Sequence, residues 1–475
     1  MDLNKLAEPS SGNRTDDARI PSIEAVIYHP HTSAARRRSA FGVGDIELMS
    51  RGVAQFIRRP LVGNALSLYA VQGLNYLVPL LLVPYLLRTL GPQSYGTIIL
   101  AQAVMGYAVT ATDYGFTLTA ARDISVVRDD AVMVAKIYWT TMAAKAVLLL
   151  ASFVVIAAVV ALTPKLRDFW TVIACCGVLA LGNIAFPQWY LQGLERLREA
   201  ALIQALAKIV SAVAVITLIH SPADLLLAAF ILSAHQLAGV AAALCLGQNI
   251  APQRFYMPTA TDIRCALVSG WHMFIGSASV TLYGYTNVFV LGIFCGESAV
   301  AIYNVAFKIV YALQSLVSPV IQAVYPRASK LFSLSADEGW PLVVRVARLL
   351  MPAIAVASVA LAVWAPAVVA VVGGRAYLEA VPVLRILCAL PICLTASSLL
   401  AQCVMVNQGL TRPLVRIYIG VGLLNLVILP GLVWYYAARG AALSLVLAEL
   451  LGPLLMMRSL DIGRHQLLKQ RLPLL

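Results

Sequence analysis

The sequence predicts an all-α polytopic membrane protein of about twelve transmembrane helices, and three observations predict it. Hydrophobic residues make up 60% of the 475 residues and charged residues only 12%, against about 25% charged in an ordinary water-soluble domain. The mean hydropathy is +0.83. Most of the length is taken up by apolar runs of about 20 residues, which is what a helix rising 1.5 Å per residue needs to cross a hydrocarbon core of about 30 Å. Barrel strands would be about half as long and would alternate apolar with polar residues, and these runs do not.

Taken in order, residues 1–60 read as a mostly disordered cytoplasmic tail. Within it Ile46, Met49, Val53, Phe56 and Ile57 recur at helical spacing beside Arg51, Arg58 and Arg59, as in an amphipathic helix lying on an anionic leaflet. The alternative is that translation starts at Met49. The opening residues are polar rather than signal-like, so the first span is expected to direct insertion itself. Apolar spans follow at roughly 64–87, 93–113, 136–161, 171–192, 200–219 and 223–247, then at 266–291, 300–324, 342–372, 380–406, 412–435 and 438–458. Gly115, just behind Asp113, breaks the second. The connections are short, and the chain divides into the tail, a half at 61–250, a half at 251–460 and a C-terminal tail at 461–475. A weak repeat relates the halves: "LGPQSYGTIILAQAVMGY" from Leu90 aligns with "CGESAVAIYNVAFKIVYA" from Cys295, matching Gly91 with Gly296. An even number of spans separates them, so the halves share one orientation about an axis along the membrane normal.

The net charge of +13, 35 Lys and Arg against 22 Asp and Glu, suggests nucleic acid until the basic residues are placed. They sit in loops. Alternate loops and the tails carry 26 of them on one side and five on the other, an asymmetry that puts both termini in the cytoplasm. The remaining four, Lys145, Lys208, Lys308 and Arg385, fall within spans. The eight cysteines lie mostly inside or beside apolar runs without metal-ligand spacing and read as small buried hydrophobes. No metal or cofactor is expected. No GxxxxGK[ST] loop is present, which argues against a nucleotide-driven pump.

The eighth span is the most informative. Asn304, Lys308, Tyr311, Ser315, Ser318 and Gln322 recur at steps of four and three and share one helical face. The seventh does the same with Ser269, His272, Gly276, Ser279, Tyr283 and Thr286. Lipid offers such groups no partner, so the two faces imply a hydrated interior, the competing reading being helix contacts glued by small and polar residues. Lys308 lies roughly 12 Å below the outer boundary. A lysine at that depth costs about 2.5 to 3.5 kcal/mol and calls for a counter-charge, water or an anionic ligand. Lys145, Lys208 and Arg385 add positive charge, although Lys145 and Arg385 can also snorkel to an interface. Glu449 is the one carboxylate well inside a span. The interior is net positive and favours an anionic substrate; a structural Lys–Glu contact is the alternative.

"PYLLRTLGPQSYGTIILAQAV", "DYGFTLTAARDIS" and "NVFVLGIFCGESAVAIYNVAFKIVYALQ", together with the span count, resemble the polysaccharide flippases of the multidrug, oligosaccharidyl-lipid and polysaccharide exporter superfamily, the Wzx-like translocases of lipid-linked O-antigen or exopolysaccharide repeat units. The resemblance runs from about residue 60 to 458. It implies two pseudo-symmetric six-helix bundles around a central cationic cavity, in a non-enzymatic carrier of the bacterial inner membrane. Its substrate would be an undecaprenyl pyrophosphate-linked oligosaccharide, moved from the cytoplasmic to the outer leaflet by alternating access coupled to a proton or sodium gradient. The substrate-binding candidates are Lys308, Lys145, Lys208, Arg122, Arg385, Asn304 and Tyr311. Family members often carry an acidic residue near the place of Asn287, so ion coupling falls to Glu449 or Asp113. Arg122 and Asp113 then read as a cytoplasmic gate. Partners implied are membrane lipids, a polysaccharide polymerase and a chain-length regulator, with no nucleic acid. A cation-drug exporter should have an acidic interior, and a lipid II flippase usually carries two further spans. A membrane polymerase or ligase tends to place catalytic groups in a sizeable outer loop, whereas here Asp168, Asp224 and Glu297 are scattered singly.

Overall fold

The computed structural model describes residues 60–247 and 250–471, and among the described residues the chain is built from helices without a strand. The amphipathic segment around Ile46 to Ile57 and the alternative start at Met49 lie outside the described residues. All contacts below fall within the compact unit Gly63–Leu475.

Helix α1, Pro60–Asp113, is interrupted at Gly91. Tyr114 and Gly115, both at positive φ, separate it from α2, Phe116–Val126, which is the break expected behind Asp113. Helix α3, Ala131–Leu162, starts at Asp130, whose carboxylate accepts from the amides of Val132 and Met133 and so satisfies two orphan donors of the first turn. Then come α4, Pro164–Arg167, α5, Trp170–Ala185, and α6, Gln188–Gly193, the last two divided at Pro187. Helix α7, Leu197–Leu218, precedes α8, Leu225–Ser233, and α9, His235–Cys245, with a bend of 52° at the break between these two. The second half begins with α10, Ala260–Cys295, opened by a capping box between Thr259 and Asp262. Helices α11, Glu297–Ser315, α12, Ser318–Leu334, α13, Ala336–Val363, and α14, Ala365–Gly373, follow. Next are α15, Ala380–Leu387, α16, Leu390–Ser398, a π-helical stretch at Leu399–Val406, and α17, Thr411–Arg471.

Among the described residues seven helical stretches are long and apolar enough to cross a membrane, or eight counting the bent pair Pro222–Ser233 and His235–Cys245. The expected spans at 64–87 and 93–113 lie on α1, and those at 412–435 and 438–458 lie on α17, which is interrupted at Ala437. One residue of non-helical backbone separates the two runs in each case, Gly91 in α1 and Ala437 in α17. Apolar side chains cover the outside: Val154 is 70% exposed, Leu162 82% and Val427 77%. Such a surface belongs in hydrocarbon and not in water.

Small residues set how closely the halves approach. A Cβ on Gly96 would sit 1.8 Å from the carbonyl oxygen of Glu297, and one on Gly292 would sit 2.6 Å from the Leu100 side chain. The second part of α1 is thereby pressed onto the ends of α10 and α11. The two glycines matched by the repeat share one backbone geometry, φ 75 and ψ 173 at Gly91 and φ 84 and ψ 179 at Gly296. That region of backbone space is essentially open to glycine alone. Nothing lies within 4 Å of a Cβ built on Gly296, so a substitution there tests the backbone by itself. Gly296→Ala is expected to cost about 1 to 3 kcal/mol, read as a lower melting temperature in detergent; an unchanged melting temperature would show that the turn relaxes freely.

Candidate functional site

The polar face of the eighth span does open onto a cavity. Asn304, Phe307 and Lys308 on α11 meet Ile99, Gln102 and Ala103 on α1 across a space of about 330 Å³, closed by Tyr285 and Val288 of α10 and Leu179 of α5. Lys308 Nζ donates to Tyr95 Oη at 3.0 Å and lies 5.6 Å from the centroid of that ring. Tyr95 in turn donates to Asn304 Oδ1 at 3.1 Å. Tyr95 and Asn304 are buried, whereas Lys308 is half-buried at the cavity wall. The tyrosine gives the ammonium both an oxygen acceptor and a π face, two neutral stabilisers that leave its charge uncancelled. Among the described residues no carboxylate pairs with Lys308, so the Lys–Glu contact held open by the sequence is not what holds it. Tyr95 was missed in the sequence. Its position between Gly91 and Gly96, inside a stretch that carried the repeat, was the available signal.

The other candidates do not gather here. Lys145 is buried on α3 and faces Asp113 at 3.9 Å, while Thr117 Oγ1 donates to the same carboxylate at 2.7 Å. Lys145 therefore does not snorkel, and Asp113 is occupied by it and not by Arg122. Arg122 pairs with its neighbour Asp123 at 2.9 Å on an exposed surface. Arg385 is exposed and donates to the Ala362 carbonyl at 3.3 Å, so it turns away from the cavity. Lys208 is half-buried on α7, within electrostatic reach of His235 at the bend between α8 and α9. Glu449 is buried on α17, near Cys393 and Tyr418. Tyr311 lies one turn past Lys308 and lines a neighbouring space. Asn287 is buried beside the Tyr303 hydroxyl. On the seventh span Thr286 meets the Tyr107 hydroxyl at 2.9 Å, and the side chains at positions 272, 279 and 283 lie outside the described residues.

A second space of about 280 Å³ lies where α2, α3 and α10 meet. On its rim Lys136 pairs with Asp262 at 3.2 Å. Asp262 also accepts from Thr259 Oγ1 at 2.7 Å, the Thr259 amide at 3.0 Å and Tyr256 Oη at 2.9 Å. These donors, those of Thr259 foremost, hold its carboxyl well below the usual carboxylate range. The pair clasps α3 of the first half to the start of α10 in the second.

Helices joined in this way around a polar interior define a membrane transporter fold. An inward-facing multidrug resistance MATE family transporter of the MOP superfamily superimposes with a TM-score of 0.64 at 14% identity, over 83% of this chain and 96% of that one. The lipid II flippase MurJ in an inward closed conformation gives 0.58 at 10% identity, over 84% and 87%. At such identities the likeness is one of fold. Residues 61–332 match the family model described as polysaccharide biosynthesis protein, and the chain belongs to that family. A protein of Escherichia coli (strain K12) named "Putative O-antigen transporter" is 30% identical over 394 residues, 83% of this chain and 95% of the relative. Its namesake in Shigella dysenteriae is 27% identical over 398 residues, 83% and 99%.

A carboxyl with a lowered pKa stabilises the fold at pH values above its ordinary value and stops doing so as the pH falls through the lowered one. Asp262→Asn is expected to melt below the wild type by a constant margin from about pH 5 to 8, the margin closing below about pH 4. Thermal-shift curves in detergent check it, and a margin that widens on acidification would contradict the sign.

Proposed function

We propose that this protein is a flippase, not an enzyme, and that it moves undecaprenyl pyrophosphate-linked oligosaccharide repeat units from the cytoplasmic to the outer leaflet of a bacterial inner membrane for O-antigen or exopolysaccharide synthesis. The observation that carries this reading is Lys308, a cation on the wall of a cavity of about 330 Å³ with no carboxylate partner among the described residues. The family and the names of its two relatives support a lipid-linked glycan as the cargo. Both termini are placed in the cytoplasm by the loop charges, the halves act as two six-helix bundles, and a polymerase and a chain-length regulator are the partners downstream.

Pyrophosphate and sugars cannot cross hydrocarbon unaided, whereas the prenyl tail can stay in the bilayer while the head passes through a polar interior. Lys308 keeps two of its three N–H donors for the pyrophosphate once Tyr95 has taken one. Coupling to a gradient needs a carboxylate that changes partner between states. Glu449, buried well inside a span, is the first candidate for that group, and Asp113, held by Lys145 and Thr117, is the second.

Depletion in the native host, followed by sided labelling of spheroplasts and inverted vesicles, should find complete repeat units on the cytoplasmic face only. Units already on the outer face, with the polymer missing, would make a downstream enzyme the right reading. Lys308→Ala is expected to insert normally and to slow transport about ten- to a hundredfold, the worth of a hydrogen bond to a charged group; unchanged transport would remove the cavity from the mechanism. Glu449→Gln should retain downhill exchange and lose acceleration by an imposed pH or sodium gradient, and a variant that still responds to both gradients would return the coupling role to Asp113.

A further inference from the structure

A second, uncharged compartment sits beside the Lys308 cavity, and two irregular stretches of backbone face one another across it. The eighth span breaks there: α11 ends at Ser315, Leu316 and Val317 form a turn, and Pro319 stands in the first turn of α12. Opposite the break the tenth span leaves α geometry at the π-helical stretch Leu399–Val406, which packs on α12. At membrane depth, irregular backbone persists where it is buried in protein or lines a wet cavity. Broken helices and π-turns also concentrate at binding sites.

The space between them is about 170 Å³, with Tyr311, Gln314, Ser315 and Gln322 on one wall and Ser398 and Gln402 on the other. None of the side chains lining it is charged. Without a cationic side chain the lining offers no counter-charge to an anionic linkage, whose desolvation would go uncompensated there. Amides and hydroxyls are good hosts for a neutral ligand dense in hydroxyls, because each amide presents donors and an acceptor together. Gln314 Oε1 is buried and accepts no hydrogen bond, while Gln322 Nε2 is steadied by Ser318 Oγ at 3.1 Å. An orphaned acceptor of this kind costs stability unless a ligand or water satisfies it.

An aromatic strip joins the two compartments. Tyr303, Phe307 and Tyr311 follow one another along α11 with ring centroids 6.0 and 5.9 Å apart and planes within 16° and 20° of parallel. Tyr303 and Phe307 line the Lys308 cavity and Tyr311 the uncharged one. The C–H faces of sugar rings pack against such surfaces while their rims of hydroxyls reach for the amides. From Lys308 to Gln314 and Ser315 the helix advances about 9 to 10 Å, toward the end of the span that carries Arg327 and Lys330.

We propose that this uncharged compartment is the glycan subsite. It takes the neutral sugars of the lipid-linked substrate, pointing toward the basic, cytoplasmic end, while Lys308 holds the anionic linkage. The assignment rests on the flippase reading above and adds to it where the sugars lie.

The test reconstitutes the full chain in phospholipid vesicles with two probes: undecaprenyl pyrophosphate carrying one N-acetylglucosamine, and the lipid-linked repeat units extracted from depleted host cells. Gln314→Leu with Gln402→Leu is expected to slow the repeat-unit lipid about tenfold or more, the loss of one or two hydrogen bonds, and to leave the single-sugar lipid within about twofold. Lys308→Ala should slow both. Equal slowing of both probes by the double variant, or of neither, would overturn the glycan assignment and leave the flippase reading standing. Wild-type protein that moves neither probe would overturn both. Gln402 is exposed, so Gln402→Leu alone decides the matter if the double variant fails to insert.

Discussion

Hydrocarbon gives a polar group no partner, and this constraint settles where each charge of the chain resides. Every ionisable side chain placed inside a span must be neutralised, solvated by neutral protein groups or exposed to a wet interior. Lys145 takes the first course through Asp113. Lys308 takes the second and third together, through Tyr95, Asn304 and the cavity. The difference decides their chemistry. A lysine already paired with a carboxylate has little left for an anion, whereas one held by a phenol, itself anchored on an amide, has no counter-charge to give up.

The same constraint explains the stretch from Asp113 to Ser125, where three charges follow a nearly uncharged run. Asp113 is the counter-ion of a lysine on the next long helix, brought within reach because Gly115 lets the chain turn at φ 77. Arg122 and Asp123 neutralise each other at the surface. An exposed pair of adjacent residues contributes little to stability. The two halves are joined elsewhere, by the ion pair between Lys136 and Asp262, whose carboxylate also accepts from the Tyr256 hydroxyl within the second half.

What the sequence could disclose was whatever is periodic or local. Apolar runs placed the helices, steps of three and four put Asn304 and Lys308 on one face, and Gly91 and Gly296 announced turns that only glycine adopts. What it could not disclose depends on which helices touch. Tyr95 is over two hundred residues from Lys308 and meets it because Gly96 lets two helices approach to backbone contact. Arg385, equally basic and equally apolar in its surroundings, faces outward and spends its donor on the Ala362 carbonyl. Counting cations within spans therefore overstated the charge of the interior. Nor does any local pattern reveal that the break after Ser315 faces a π-helical turn at Leu399–Val406, since each looks alone like a minor irregularity.

One charged and one uncharged compartment on a single helix solve a problem that a uniformly cationic cavity would not. A carrier has to release its cargo, and several lysines around a pyrophosphate would hold it too tightly to leave. In the proposed flippase Lys308 alone, backed by neutral groups, would give an attachment that water can displace when the interior opens. Recognition of the remainder then falls to hydrogen bonds from amides and hydroxyls, each exchanged for one to water at little net cost. In the proposed carrier, selectivity among glycans would come from the arrangement of those neutral groups, and the strength of the hold from a single charge.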